Sequence, residues 1–168
     1  MIRSSRMRYL HAPWRMEYIG APDQPGCLFC RVREESPDRD RENLVVRVDD
    51  DALLMLNRFP YNSGHVMIAP RAHVGTLADL DDEAGMAVTR LTRETLRVLG
   101  EVLHPHGFNV GSNIGRAAGA GIPDHVHEHI VPRWDGDTNF MPVLGEVKVI
   151  NEHLTRTWEA LHGAFGTR

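Results

Sequence analysis

The stretch His125-Val126-His127-Glu128-His129-Ile130-Val131-Pro132-Arg133-Trp134 decides how this chain is read. Its three histidines alternate with other residues. On a β-strand alternate side chains share a face, so the three imidazoles point one way while Val126, Glu128 and Ile130 take the other. Histidines two apart lie roughly 6.5–7 Å from each other along a strand, close enough to surround one phosphate or to share the work around a metal. A neutral imidazole is also a good nucleophile near neutral pH, because its unperturbed pKa is about 6.5. The bland alternative is a surface strand that happens to be rich in histidine. Against it stand the Val-Pro-Arg that follows and the glycines 115, 119 and 121 in the loop that precedes.

Working outward, Leu44–Val48 and Ala52–Leu56 are apolar runs around Asp49-Asp50-Asp51 and read as a β-hairpin. Asn57–Gly64 is a loop, and His65-Val-Met-Ile-Ala69 is the next strand, stopped by Pro70. A long helix follows. Asp81, Asp82 and Glu83 suit its positive N-terminal end, and Ala84, Val88, Leu91, Thr95, Val98 and Val102 recur at helical spacing. His104-Pro-His-Gly107 ends it, and Phe108–Asn113 is a strand. Glu146–Ile150 is expected to add a short strand. Asn151 is expected to cap a final helix that carries Leu154, Trp158, Leu161 and Phe165 on one face. The charged residues 31–42 read as a solvated surface segment. Residues 1–26 form an N-terminal arm, in which Trp14–Ile19 is a short helix or an extended piece, ahead of a single domain over 27–168. Strands, helix, strands, helix make an α+β domain with a mainly antiparallel sheet.

The stretch from His125 to Val131 resembles the histidine-triad (HIT) motif, in which three histidines alternate with apolar residues and two apolar residues follow. The likeness extends over residues 25–165. Val131-Pro-Arg-Trp134-Asp-Gly-Asp137-Thr-Asn139-Phe140 resembles the bacterial and archaeal diadenosine tetraphosphate phosphorylase-like branch. Glu128 departs from the pattern, which asks for an apolar residue there. The resemblance implies a five-stranded sheet with one long helix and a C-terminal helix, and a homodimer whose sheets join. It implies an enzyme that cleaves dinucleoside polyphosphates through a covalent nucleotidyl-histidine, with water or phosphate as acceptor. His127 is then the nucleophile and His129 a phosphate contact. His65 reaches the same phosphate from the neighbouring strand, Asn57 lies at the nucleoside end, and Asn113 and Gly119 lie close to the phosphates. Asn57 and Asn113 also read as ordinary turn formers, and the glycines as simple flexibility. Two other readings stay open: a nucleoside phosphoramidate hydrolase, and a nucleotide-binding interaction module with vestigial catalysis.

Cys27-x-x-Cys30 is half of a tetrahedral zinc site, a buried pair of thiols or a redox motif. The resemblance supplies His73 and His125 as the missing ligands of a closed, structural zinc, so that His125 belongs to both the triad and the metal site. The loop is not a P-loop, since Lys and Ser/Thr are missing from the required places, and no dinucleotide-binding unit exists, so no organic cofactor is expected. With only two cysteines, a disulfide-stapled secreted scaffold is not expected. No apolar run approaches the roughly 20 residues that span a membrane, and no apolar stretch follows Arg3, Arg6 and Arg8 as in a secretory leader. The expected location is therefore cytoplasmic. A net charge of −4 does not suit a general nucleic-acid binder.

Overall fold

The computed structural model describes residues 26–137 and 153–166. The elements run α1 (Leu28–Glu34), α2 (Asp40–Asn43), β1 (Val45–Val48), β2 (Ala52–Leu56), β3 (Val66–Pro70), α3 (Asp82–Leu103), β4 (Gly107–Gly111), β5 (Glu128–Arg133) and α4 (Leu154–Phe165). The five strands form one antiparallel sheet in the order β1-β2-β3-β5-β4. This is the expected α+β, five-stranded architecture.

Strand alternation divides the core in two. Val46, Leu54, Leu56, Val66, Ile68 and Ile130 face α3 and α4, where Val88, Leu91, Leu99 and Leu161 meet them. Val45, Leu53, Met55, Met67 and Ala69 face the other way, onto Phe29 and Val32 of α1. Helix α3 starts where the acidic run predicts: Asp81 caps it, its side chain accepting from the Ala84 N–H at 2.8 Å. It ends at His104, which turns left-handed at φ 48°. Helix α4 is tied to the sheet by Trp158, whose Nε1 donates to the Val45 carbonyl at 2.7 Å.

Residues 31–42 are not simply a solvated segment. Helix α1 runs to Glu34, a 3₁₀ turn and α2 follow, and Val32, Asp40 and Asn43 are buried. Glu35 organises the bend, accepting from Arg31 at 2.6 Å and Asn43 at 2.7 Å and pairing with Arg39 at 3.2 Å. A charge run read from composition hides this, because its charges pair with each other. The final helix begins at Leu154, with His153 at its N-cap. Trp14–Ile19, Glu146–Ile150 and Asn151 lie outside the described residues.

Candidate active site and metal centre

Strand β5 begins at Glu128, so only His129 of the three histidines is in the ladder, paired across from Met67. His125 and His127 lie in the approach to it. There the Val126 N–H donates to Val74 of the loop after β3, at 2.7 Å, and the Pro70 carbonyl accepts from the His125 ring at 2.9 Å. These loop contacts take the place of strand pairing. The rings nonetheless form one row on the α1 side of the sheet. His127 and His129 lie 4.8 Å apart, and Phe29 touches both His125 and His127, at 5.1 and 5.0 Å between centroids.

The hydrogen bonds fix the proton on each ring. His127 donates from Nδ1 to the His125 carbonyl at 2.9 Å, so a neutral ring keeps its lone pair on Nε2. The residue is 4 % exposed, and burial pushes its pKa down, with the hydrogen bond to His125 opposing. The result is an imidazole biased to the neutral form, with its Nε2 lone pair free of the His125 contact. His65 accepts from the Tyr61 N–H at Nδ1, at 3.0 Å, so its proton sits on Nε2. That nitrogen lies 3.0 Å from Nδ1 of His129 and donates to it. His129 must then carry its own proton on Nε2. His65 is completely buried, with Nε2 turned to His129.

Asn57 is committed at one end, its Oδ1 accepting from the Phe59 N–H at 2.8 Å in a local turn. Asn113 follows β4, and Gly119 ends a short 3₁₀ turn at φ 85°, a left-handed conformation that favours glycine. Two cavities, of about 410 and 430 Å³, are lined one by Cys30, Arg33 and Arg71, the other by Arg47, Arg90 and Glu94. Neither is lined by a triad histidine.

Glu128 faces α3, as alternation requires. Its partner is not Arg90, Arg93 or Arg97 but Thr92, whose hydroxyl lies 2.5 Å from Oε1 and 2.9 Å from the Val88 carbonyl. A charge-matching argument from sequence looks for a cation; an uncharged hydroxyl one helical turn from Val88 meets the same need.

The second centre is compact. Cys27, Cys30, His73 and His125 each direct one ligand atom into a cluster whose atoms lie within 4.8 Å of one another. Nδ1 of His125 is 3.2 Å from Sγ of Cys27, 3.6 Å from Sγ of Cys30 and 3.2 Å from Nδ1 of His73, and Cys30 to His73 is 3.4 Å. A tetrahedral ion with ordinary Zn–S and Zn–N bonds sets its ligands about 3.3–3.8 Å apart. His125 donates from Nε2 to Pro70, which leaves Nδ1 as a lone pair aimed at the cluster. Burial lowers the pKa of His125, which suits a neutral ligand, and raises that of Cys30, a cost that a cation would offset. Both ring nitrogens of His125 are thus used here.

Sequence reasoning missed Phe29, inside Cys27-x-x-Cys30, and the Tyr61 amide. An apolar residue between two metal-type cysteines is a usable signal for the first. A backbone donor leaves none.

A HIT-domain family model matches residues 38–136. The chain belongs to the HIT family. Among HIT relatives, AP-4-A phosphorylase of Mycobacterium tuberculosis is 37 % identical over 164 residues, covering 90 % of this chain and 81 % of the relative. Adenosine 5'-monophosphoramidase of Schizosaccharomyces pombe is 30 % identical over 64 % of this chain and 74 % of its own. Among solved HIT structures, a zinc-bound histidine triad family protein from Mycobacterium smegmatis superposes with a TM-score of 0.65, at 24 % identity, covering 83 % of this chain and 92 % of that one. At that identity the likeness speaks for the fold alone.

Proposed function

We propose that this HIT-family enzyme cleaves dinucleoside polyphosphates of the diadenosine tetraphosphate type through a nucleotidyl-His127 intermediate. The observation that carries the reading is the His127 Nδ1–H···O=C bond to His125, at 2.9 Å, which leaves Nε2 as the nucleophilic lone pair. Nε2 attacks the α-phosphorus, an N–P bond forms, and the P–O bond to the leaving polyphosphate breaks. The Nδ1–H contact to the carbonyl eases the positive charge that builds on the ring. His129 donates from Nε2 to a phosphate oxygen, and Asn57, Asn113 and Gly119 line the nucleoside and phosphate path. Phosphate or water then attacks the same phosphorus and releases His127. The 37 % identity to AP-4-A phosphorylase supports phosphate as the acceptor; the phosphoramidase relative keeps nucleoside phosphoramidates as the second reading.

Cys27, Cys30, His73 and His125 would hold a zinc ion. With four protein ligands it supplies structure only, anchoring His125 two residues from the nucleophile. Residues 27–168 act as the HIT domain, with 1–26 as a preceding arm; the Trp158 bond to β1 supports counting α4 with that domain. Two copies join through β4, one of the sheet's two edge strands, where Val110 is 46 % exposed. The proposed location is cytoplasmic; no helix among the described residues is long and apolar enough to cross a membrane.

The test is turnover of diadenosine tetraphosphate and of an adenosine phosphoramidate, each with and without phosphate. Phosphate-dependent cleavage of the first is expected. His127→Ala should abolish turnover and keep nucleotide binding, since it removes the nucleophile and little of the pocket. A His127→Ala enzyme at wild-type rate refutes the mechanism.

A further inference from the structure

The turn after β5 carries a network that reaches the histidines by another route. Asp137, whose side chain is 11 % exposed, accepts three hydrogen bonds at Oδ2: from Arg133 Nε at 2.6 Å, Asn62 Nδ2 at 2.8 Å and the Trp134 N–H at 3.1 Å. Its Oδ1 accepts from Arg133 Nη2 at 2.7 Å. The second amide hydrogen of Asn62 goes to the Pro132 carbonyl at 3.1 Å. One side chain of the loop between β2 and β3 is therefore bound at two points to the far end of β5. The Asn62 carbonyl in turn accepts from the His65 N–H at 3.2 Å. Its neighbour Tyr61 supplies the N–H that accounts for the proton position on His65, and through it on His129.

We propose that Asn62 and Asp137 are positioning residues that hold the Tyr61 amide against His65 and so fix which nitrogen of His129 carries the proton. The inference rests on the proposed reaction for its purpose. The two neutral tautomers of an imidazole differ little in free energy, so a single well-placed backbone donor decides between them. If the Tyr61 amide withdraws, His65 can move its proton to Nδ1 and accept at Nε2. His129 then donates from Nδ1, and its Nε2 turns a lone pair toward the anionic oxygen it should bind. The ion pair between Arg133 and Asp137 keeps the carboxylate in place without adding net charge beside the substrate.

The full chain, purified without chelator, is labelled with ¹⁵N in histidine, and the ring nitrogen shifts of His65 and His129 are read together with steady-state kinetics. In the wild type both rings should show the Nε2–H form alone. Asn62→Ala leaves the Arg133–Asp137 pair intact, and it should give mixed tautomers at both rings. On diadenosine tetraphosphate its kcat should fall about tenfold or more, with KM changed less than about threefold. If Asn62→Ala does not fold, Asp137→Asn is read in the same way. Unchanged Nε2–H signals in a folded variant, or a kcat within about twofold of wild type, overturn the proposal; a lower melting temperature with both readings unchanged marks a purely structural tie and overturns it too. A wild type that turns over no dinucleoside polyphosphate sinks the proposed function, and the ring shifts then decide the positioning claim alone.

Discussion

Glu128→Val restores the apolar character that the HIT motif asks for, and the structure fixes what it should cost. Among the described residues the carboxylate's hydrogen-bond partner is Thr92, at 2.5 Å. Losing a hydrogen bond to a charged group costs about 1.5–3 kcal/mol. Thr92 keeps the Val88 carbonyl at 2.9 Å, so no hydroxyl is stranded. Against the loss, valine places methyl groups beside α3, for a gain of about 1–2 kcal/mol. The two should offset to within about 1 kcal/mol, a change of no more than about 4 °C in melting temperature. Thr92→Val is the harsher change, because it leaves a half-buried carboxylate without its donor, at about 1–3 kcal/mol. The double variant should return close to wild type, with a coupling of about 1–2 kcal/mol. Urea unfolding of the four proteins measures this. Because Glu128 faces away from His127, kcat of Glu128→Val should stay within about tenfold, or 1.4 kcal/mol of barrier. A folded, nucleotide-binding Glu128→Val protein with almost no activity would place the carboxylate in the chemistry and refute the argument from strand alternation. A Thr92→Val protein no less stable than Glu128→Val would refute the pairing.

Gly64→Ala should destabilise by about 2–4 kcal/mol, from a left-handed φ and from overpacking: φ is 73°, and a Cβ would lie 2.3 Å from Leu103 Cδ1 and 3.2 Å from Pro132 Cγ. Thermal unfolding checks it, and a loss under about 1 kcal/mol shows that Leu103 moves aside without strain. The purified chain should carry about one zinc, and Cys27→Ser or His73→Ala should lose the ion and melt lower before activity suffers; metal analysis finding none in the wild type removes the metal centre.

Much of this was legible in the chain. The hairpin, β3, α3 and α4 follow from apolar periodicity, and the Cys27–Cys30–His73–His125 grouping from ligand chemistry together with the family likeness. What was not legible is what backbone groups and short-range pairing decide. Pro70 and Val74 carbonyls, not side chains, stop β5 at Glu128. Glu35 folds a charged run into two helices by pairing inside it. Thr92 serves Glu128 without charge, and Asn62 and Asp137, 75 positions apart, announce nothing singly.

If the cluster holds zinc as proposed, the order of the chain also sets the order of its assembly. Cys27 and Cys30 are made early and can seize an ion as a half-site, while His125 arrives 98 positions later. Closing a loop of that length costs about 4 kcal/mol more than joining neighbours. The chain holds ten histidines, so an ion captured during synthesis has wrong partners to try first. Refolding with zinc present from the start should therefore be slower than refolding with zinc added after collapse. The last correct partner to dock sits two residues before His127. Under the proposed reaction, a chain caught with the wrong ligands in place of His125 would also carry a displaced His127, and its turnover would begin only once the cluster is correctly assembled.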